Sequence, residues 1–106
     1  VTYPEAYEFI PETYDGIVIY DCMDDMLEFD MSAQSRMLVQ RLEKALYKRA
    51  DVVFVSSENL KRKLFDRYSI KEDCYLVRNG YDGNIADVPL ISTQKNKNFE
   101  VCYFGT

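Results

Sequence analysis

Residues 51–60, Asp51-Val52-Val53-Phe54-Val55-Ser56-Ser57-Glu58-Asn59-Leu60, carry the pattern that decides the fold. A run of apolar residues passes straight into a serine pair, and an apolar-periodic segment follows. A strand with one wet face would alternate polar and apolar residues, so an unbroken run predicts a strand covered on both faces. A serine oxygen just ahead of a helix accepts from a free amide of the first turn, so Ser56 or Ser57 predicts a helix start. Leu60, Leu64, Phe65 and Tyr68 then fall on one face of that helix.

The same alternation extends in both directions. Ile17-Val18-Ile19-Tyr20, Tyr75-Leu76-Val77 and Val101-Cys102-Tyr103-Phe104 are further continuous runs. Between the first strand and Val52, the spacing of Leu38, Leu42, Ala45 and Leu46 predicts a helix, with Arg41, Glu43, Lys44 and Lys48 turned elsewhere. Pro4 with Ala6, Tyr7 and Ile10 predicts a short leading helix that Pro11 ends, and Asp15-Gly16 a turn into the first strand. Strands separated by single helices imply right-handed crossovers. The expected fold class is therefore α/β, a partial Rossmann-like parallel sheet with helices on both faces. After Asn79-Gly80 the periodicity fades. Residues 1–84 are expected to be the later part of one Rossmann-like domain, 85–98 a linker, and 99–106 the first strand of a second domain. Both ends look cut, so the chain is expected to be a piece of a longer protein.

Composition narrows the classes. At 106 residues with 47% apolar and 29% charged residues, the chain suits an ordinary globular core. No apolar run approaches the ~20 residues of a membrane-spanning helix, and no signal segment opens the chain. A net charge of −5 argues against a domain devoted to nucleic acid or another polyanion. The exception is local, around Lys61, Arg62, Lys63 and Arg67, where a solvated helix face competes with a patch for anionic lipid headgroups or an acidic substrate. The chain has no histidine, which removes imidazole catalysis and imidazole metal ligation from this stretch. Cys22, Cys74 and Cys102 lack paired spacing and are expected as small buried hydrophobes in a reducing compartment, without metal.

In open parallel sheets, ligands bind beyond the carboxyl ends of the strands. Those ends carry Asp21, Asp24 and Asp25 after the first strand, Ser56-Ser57 after the second, Asn79-Gly80 and Asp82 after the third, and Gly105 after the fourth. Carboxylates there can accept from sugar hydroxyls, hold a divalent cation or act as a general base, or they can simply satisfy turn amides. Asp21 fits the turn role better, while Asp24 and Asp25 fit either. Ser56 and Ser57 fit caps. Asn79 and Gly80 fit a turn with positive φ. Gly105 could let backbone approach a phosphate.

Four segments together resemble one family. Ile19 to Asp25 (IYDCMDD), Asp51 to Leu60 (DVVFVSSENL), Leu76 to Asp82 (LVRNGYD) and Val101 to Gly105 (VCYFG) stand in the order and spacing of GT-B-fold glycosyltransferases of the retaining, glycogen-synthase-like class. The first segment is similar to members that build cell-surface polysaccharides. Two features depart from the family pattern: Tyr81 replaces a small aliphatic residue, and no Phe follows Asp82. The resemblance implies two Rossmann-like domains with the active site in the cleft between them. It also implies transfer of a sugar from a nucleotide-sugar donor to a glycan or lipid-linked acceptor, with no bound cofactor. Asp24 and Asp25 would lie at the acceptor side, Asn79, Gly80 and Asp82 in the interdomain loop, and Gly105 near the donor phosphates. The family's donor-binding cation and paired glutamates have no counterpart in the chain, so no catalytic residue is assigned and the chain alone is expected to be inactive. The expected setting is cytoplasmic, with association at the inner face of a membrane left open. On this reading the polar strand tips gather at one rim, without Asp24 and Asn79 falling on opposite edges of the sheet. Two other classes remain: a phospho-receiver-like module binding Mg²⁺ through the Asp21/Asp24/Asp25 cluster, and a non-catalytic interaction domain using the Lys61–Arg67 face.

Overall fold

The structure, a computed structural model, describes residues 1–80. The expected linker over 85–98, the strand over 99–106, and Asp82, Cys102 and Gly105 lie outside the described residues. A 3-10 helix, Pro4–Phe9, leads into β1 (Ile19–Cys22), a 3-10 turn (Met26–Glu28), α1 (Ala33–Arg49), β2 (Val52–Val55), α2 (Glu58–Tyr68) and β3 (Cys74–Leu76). All strand pairs are parallel, in the order β1-β2-β3. The described part of the chain is thus mixed α/β, with a small parallel sheet and flanking helices.

Local chemistry sets the boundaries. Pro4 occupies the first turn of the leading 3-10 helix, where a missing N–H costs nothing, and that helix stops ahead of Pro11. Ser32 and Ser57 cap α1 and α2, each hydroxyl oxygen accepting from the amide three residues on. Asp51 carboxylate accepts from the Val18 amide at 2.8 Å, fixing where β1 begins beside β2. That clamp starts β1 two residues later than the apolar run does. Asp21 and Cys22 are therefore strand residues, not part of the loop after it.

Register explains the core. Tyr20 stands opposite Val53 and Val53 opposite Cys74, so Tyr20, Cys22, Val53, Val55, Cys74 and Leu76 share one face of the sheet. That face packs with Leu46, Tyr47 and Ala50 from the α1 side and with Leu60, Leu64 and Tyr68 of α2. Both helices therefore pack on the same side of the sheet, as crossovers of one hand advancing in one direction require. Among the described residues both helices lie on one side, and Ile19, Val52, Phe54 and Tyr75 form a second face that no described helix covers. Ile19 is 41% and Tyr75 49% exposed, and Phe54 and Tyr75 rings lie 6.4 Å apart across it. Cys22 and Cys74 are free thiols in the core, and burial pushes the Cys22 thiol up to about 12, so it stays protonated.

The buried face of α1 is also rotated from the expected one. Val39, Leu42, Glu43, Leu46 and Tyr47 point inward, whereas Leu38 is exposed. Glu43, expected to turn away, is completely buried. Tyr20 hydroxyl donates to its Oε1 at 2.9 Å and Tyr68 hydroxyl to its Oε2 at 2.6 Å. Those two donors, one from β1 and one from α2, make burial of the carboxyl tolerable. Burial is the main cause that holds both phenols well above their ordinary range, so they remain donors.

Candidate functional site

The carboxyl ends of β1 and β2 open onto a small polar cavity of about 150 Å³, lined by Met23, Asp24, Asp25, Ser56, Asn59 and Lys63 among others. A larger apolar hollow of about 390 Å³ lies between the leading helix and the beginning of β1, lined mainly by Phe9, Ile10, Pro11, Tyr14 and Ile17. It has no set of convergent charged side chains, and it is at the wrong end of a parallel sheet for a ligand site. The carboxyl-end cavity is the better candidate.

Ser56 and Ser57 divide their duties. Ser57 caps α2, as expected for one of the pair. Ser56 does not: its hydroxyl donates to the Met23 carbonyl at 2.6 Å, tying the exit of β2 to the loop that follows β1. With its proton committed, Ser56 offers only oxygen lone pairs to a ligand. Ser56→Ala is expected to cost about 1 kcal/mol, the worth of one ordinary hydrogen bond, and to raise amide exchange at Asp24 more than at Val53. Urea denaturation and hydrogen exchange check both; equal exchange at the two sites would mean that the bond does not position the loop.

Asp25 is engaged on every side. Its carboxylate takes a two-pronged pair from Arg67 at 2.7 and 2.8 Å, a third contact from Lys63 at 2.9 Å, and the Leu27 amide at 3.3 Å. Burial pushes its pKa up, but the Arg67 and Lys63 bonds outweigh it and hold the carboxyl below its ordinary value. Lys63 also reaches Glu28 at 2.9 Å. This network fixes the loop from β1 to the 3-10 turn. It leaves Asp25 few lone pairs for a sugar, whereas Asp24 is exposed and its side chain makes no hydrogen bond among the described residues.

Asn79 and Gly80 follow β3 and are exposed. Neither adopts positive φ, and a Cβ at Gly80 would meet open space; the rest of the expected turn, Tyr81 and Asp82, lies outside the described residues. Because β2 lies between β1 and β3, Asp24 and Asn79 stand at the same end of the sheet but on its opposite edges. Two strand spacings, roughly 10 Å, separate those edges. The gathered rim is therefore not formed as expected: Asp24, Asp25 and Ser56 come together, while Asn79 stands at the far edge of the described sheet, the arrangement that the glycosyltransferase expectation excluded and that counts against it.

The sequence reading left out the ion pairs that use Lys63 and Arg67. A signal existed: two cations four apart on one helix face, with an acidic cluster after the neighbouring strand. Nothing in the spacing selected Asp25 over Asp21 or Asp24. The fold does so by placing Asp21 in β1 and Asp24 toward solvent. Among the described residues no three thiol or carboxylate side chains converge as a metal site would require, and no helix is long and apolar enough to cross a membrane. Searches against protein-family models, curated proteins and solved structures found no match.

Proposed function

We propose that this chain is the acceptor-side wall of a sugar-nucleotide glycosyltransferase. Support comes from the four ordered segments that resemble the GT-B class and from the parallel sheet, whose β1 and β2 lie within the first two segments and whose β3 ends at the first residue of the third. The observation that carries the reading is the uncommitted Asp24 carboxylate beside Ser56 at the carboxyl ends of β1 and β2. A carboxylate and a hydroxyl oxygen accept from sugar hydroxyls, which suits an uncharged glycan acceptor. In the transfer, the anomeric bond to the nucleoside diphosphate breaks and a bond to the acceptor oxygen forms as its proton departs. No residue of this chain is assigned as the base, and the chain by itself turns nothing over. Asn79 at the far edge of the described sheet counts against this reading, which therefore rests on the β1–β2 side alone.

The test is saturation-transfer NMR with a panel of uncharged oligosaccharides, alongside incubation with UDP- and GDP-hexoses. Sugar contact is expected, with at least a fivefold weakening in Asp24→Ala, about one charge-assisted hydrogen bond. Unchanged binding in Asp24→Ala would overturn the proposal, whereas turnover of a nucleotide sugar would refute only the expectation that this chain is inactive by itself. The phospho-receiver reading loses ground because Asp25 is bound to Arg67 and Lys63 and Asp21 sits in β1. Mg²⁺-dependent labelling of an aspartate by acetyl phosphate would restore it.

A further inference from the structure

The basic segment that draws attention in the sequence is largely spoken for. Lys63 and Arg67 close on Asp25, Lys61 donates to the Cys74 carbonyl at 2.8 Å, and Arg62 pairs with Asn59. A different basic surface is open. Met37, Arg41, Lys44 and Lys48 of α1 are all exposed, and their spacing of i, i+4, i+7 and i+11 confines them to roughly 60° of the helix circumference. Arg41, Lys44 and Lys48 make no hydrogen bond or ion pair among the described residues. The only acid on α1, Glu43, is buried beneath them, so no carboxylate interrupts the ridge. Met37 is 72% exposed, Leu38 42% and Phe29 52%, and Phe29 is held against the start of α1 by the Arg36 side chain.

We infer that this ridge of α1 docks on the surface of an anionic phospholipid bilayer, with Arg41, Lys44 and Lys48 at the headgroups and Met37 and Leu38 dipping toward the acyl boundary. Charge complementarity carries the choice of an anionic partner, since the ridge is purely cationic in a chain of net charge −5. The rest of the molecule is repelled by such a surface, so contact is made through this face. The apolar side chains select the bilayer over a soluble polyanion. An interface accepts cations and greasy side chains together, whereas a nucleic acid or free phosphate gains little from methionine and leucine. This inference is independent of the glycosyltransferase reading.

Flotation of the chain with phosphatidylcholine vesicles, with and without phosphatidylglycerol, tests it. Binding is expected only with phosphatidylglycerol and should fade in high salt. Reversing Arg41, Lys44 and Lys48 to Glu together is expected to lower it by about 100-fold, and Lys44→Glu alone by about fivefold. Met37→Ser with Leu38→Ser should weaken it by roughly tenfold, while Arg62→Glu should leave it unchanged. These positions are exposed, and circular dichroism would verify that each variant folds. Binding indifferent to phosphatidylglycerol, or equally sensitive to Arg62→Glu, would overturn the inference. Heparin binding that needs the three cations, combined with vesicle binding insensitive to Met37 and Leu38, would assign the ridge to soluble polyanions instead and equally overturn it.

Discussion

Glu43→Ala is expected to cost about 3–5 kcal/mol, because it strands two buried phenol hydroxyls and opens a void between the sheet and both helices. For a domain of this size, whose whole stability is of the order of 5–10 kcal/mol, that is enough to populate the unfolded state. The penalty belongs to the orphaned hydroxyls rather than to any special strength of the carboxyl. Glu43→Gln keeps one acceptor oxygen and should therefore cost less, about 1–2 kcal/mol. Combining Glu43→Leu with Tyr20→Phe and Tyr68→Phe removes donors and acceptor together and should recover most of the loss. Denaturant midpoints for the four proteins decide the matter. A triple variant no better than Glu43→Ala would show that the network contributes more than mutual satisfaction.

Asp25→Asn is the second large effect, at about 1.5–3 kcal/mol. The Asp25 side chain is only 10% exposed and Arg67 22%, which places the pair between exposed and buried ion pairs. Its acid dependence carries a definite sign. The folded pKa lies below that of the unfolded chain, so the stabilisation is fully present above the unfolded value near 3.9 and is lost as pH falls through the folded one. The wild-type chain should therefore lose stability below about pH 4 more steeply than Asp25→Asn, which has no charge to surrender there. Urea melts at neutral pH and across the acid range would show converging curves. Parallel curves would mean that some other carboxylate governs the acid limb.

How legible the molecule was depends on the distance between the groups concerned. The β2 run, the Ser57 cap of α2 and the stop before Pro11 each rest on a few adjacent residues, and the fold keeps all three. Parallel pairing followed from the alternation of strands and helices. The same continuity suggested two covered faces, but runs of three or four residues cannot distinguish a two-sided strand from one whose second face is merely apolar. Glu43 is hard to place from sequence because a charge ordinarily marks the wet side of a helix. The alternative stripe through Val39, Leu42, Leu46, Tyr47 and Ala50 contains it, but its acceptability depends on Tyr20 and Tyr68, each more than twenty residues away in sequence. The Asp25–Arg67 pair spans 42 positions and is equally invisible locally. At the candidate site, the strand-end rule found Asp24 and Asp25, and only the fold could say which carboxylate is spent on the chain's own cations.

That the sheet is covered by helices on one face only among the described residues has a bearing on mutational tolerance. Along β1, positions 20 and 22 are under the helices while 19 and 21 look outward, and the alternation continues with 53 and 55 inward in β2 and 74 and 76 inward in β3. In this chain, polar substitutions should therefore be accepted or rejected according to whether a position is odd or even within its strand, more than according to how hydrophobic the native residue is. A family of variants sharing this architecture would drift fastest at Ile19, Phe54 and Tyr75, residues whose composition alone marks them as core.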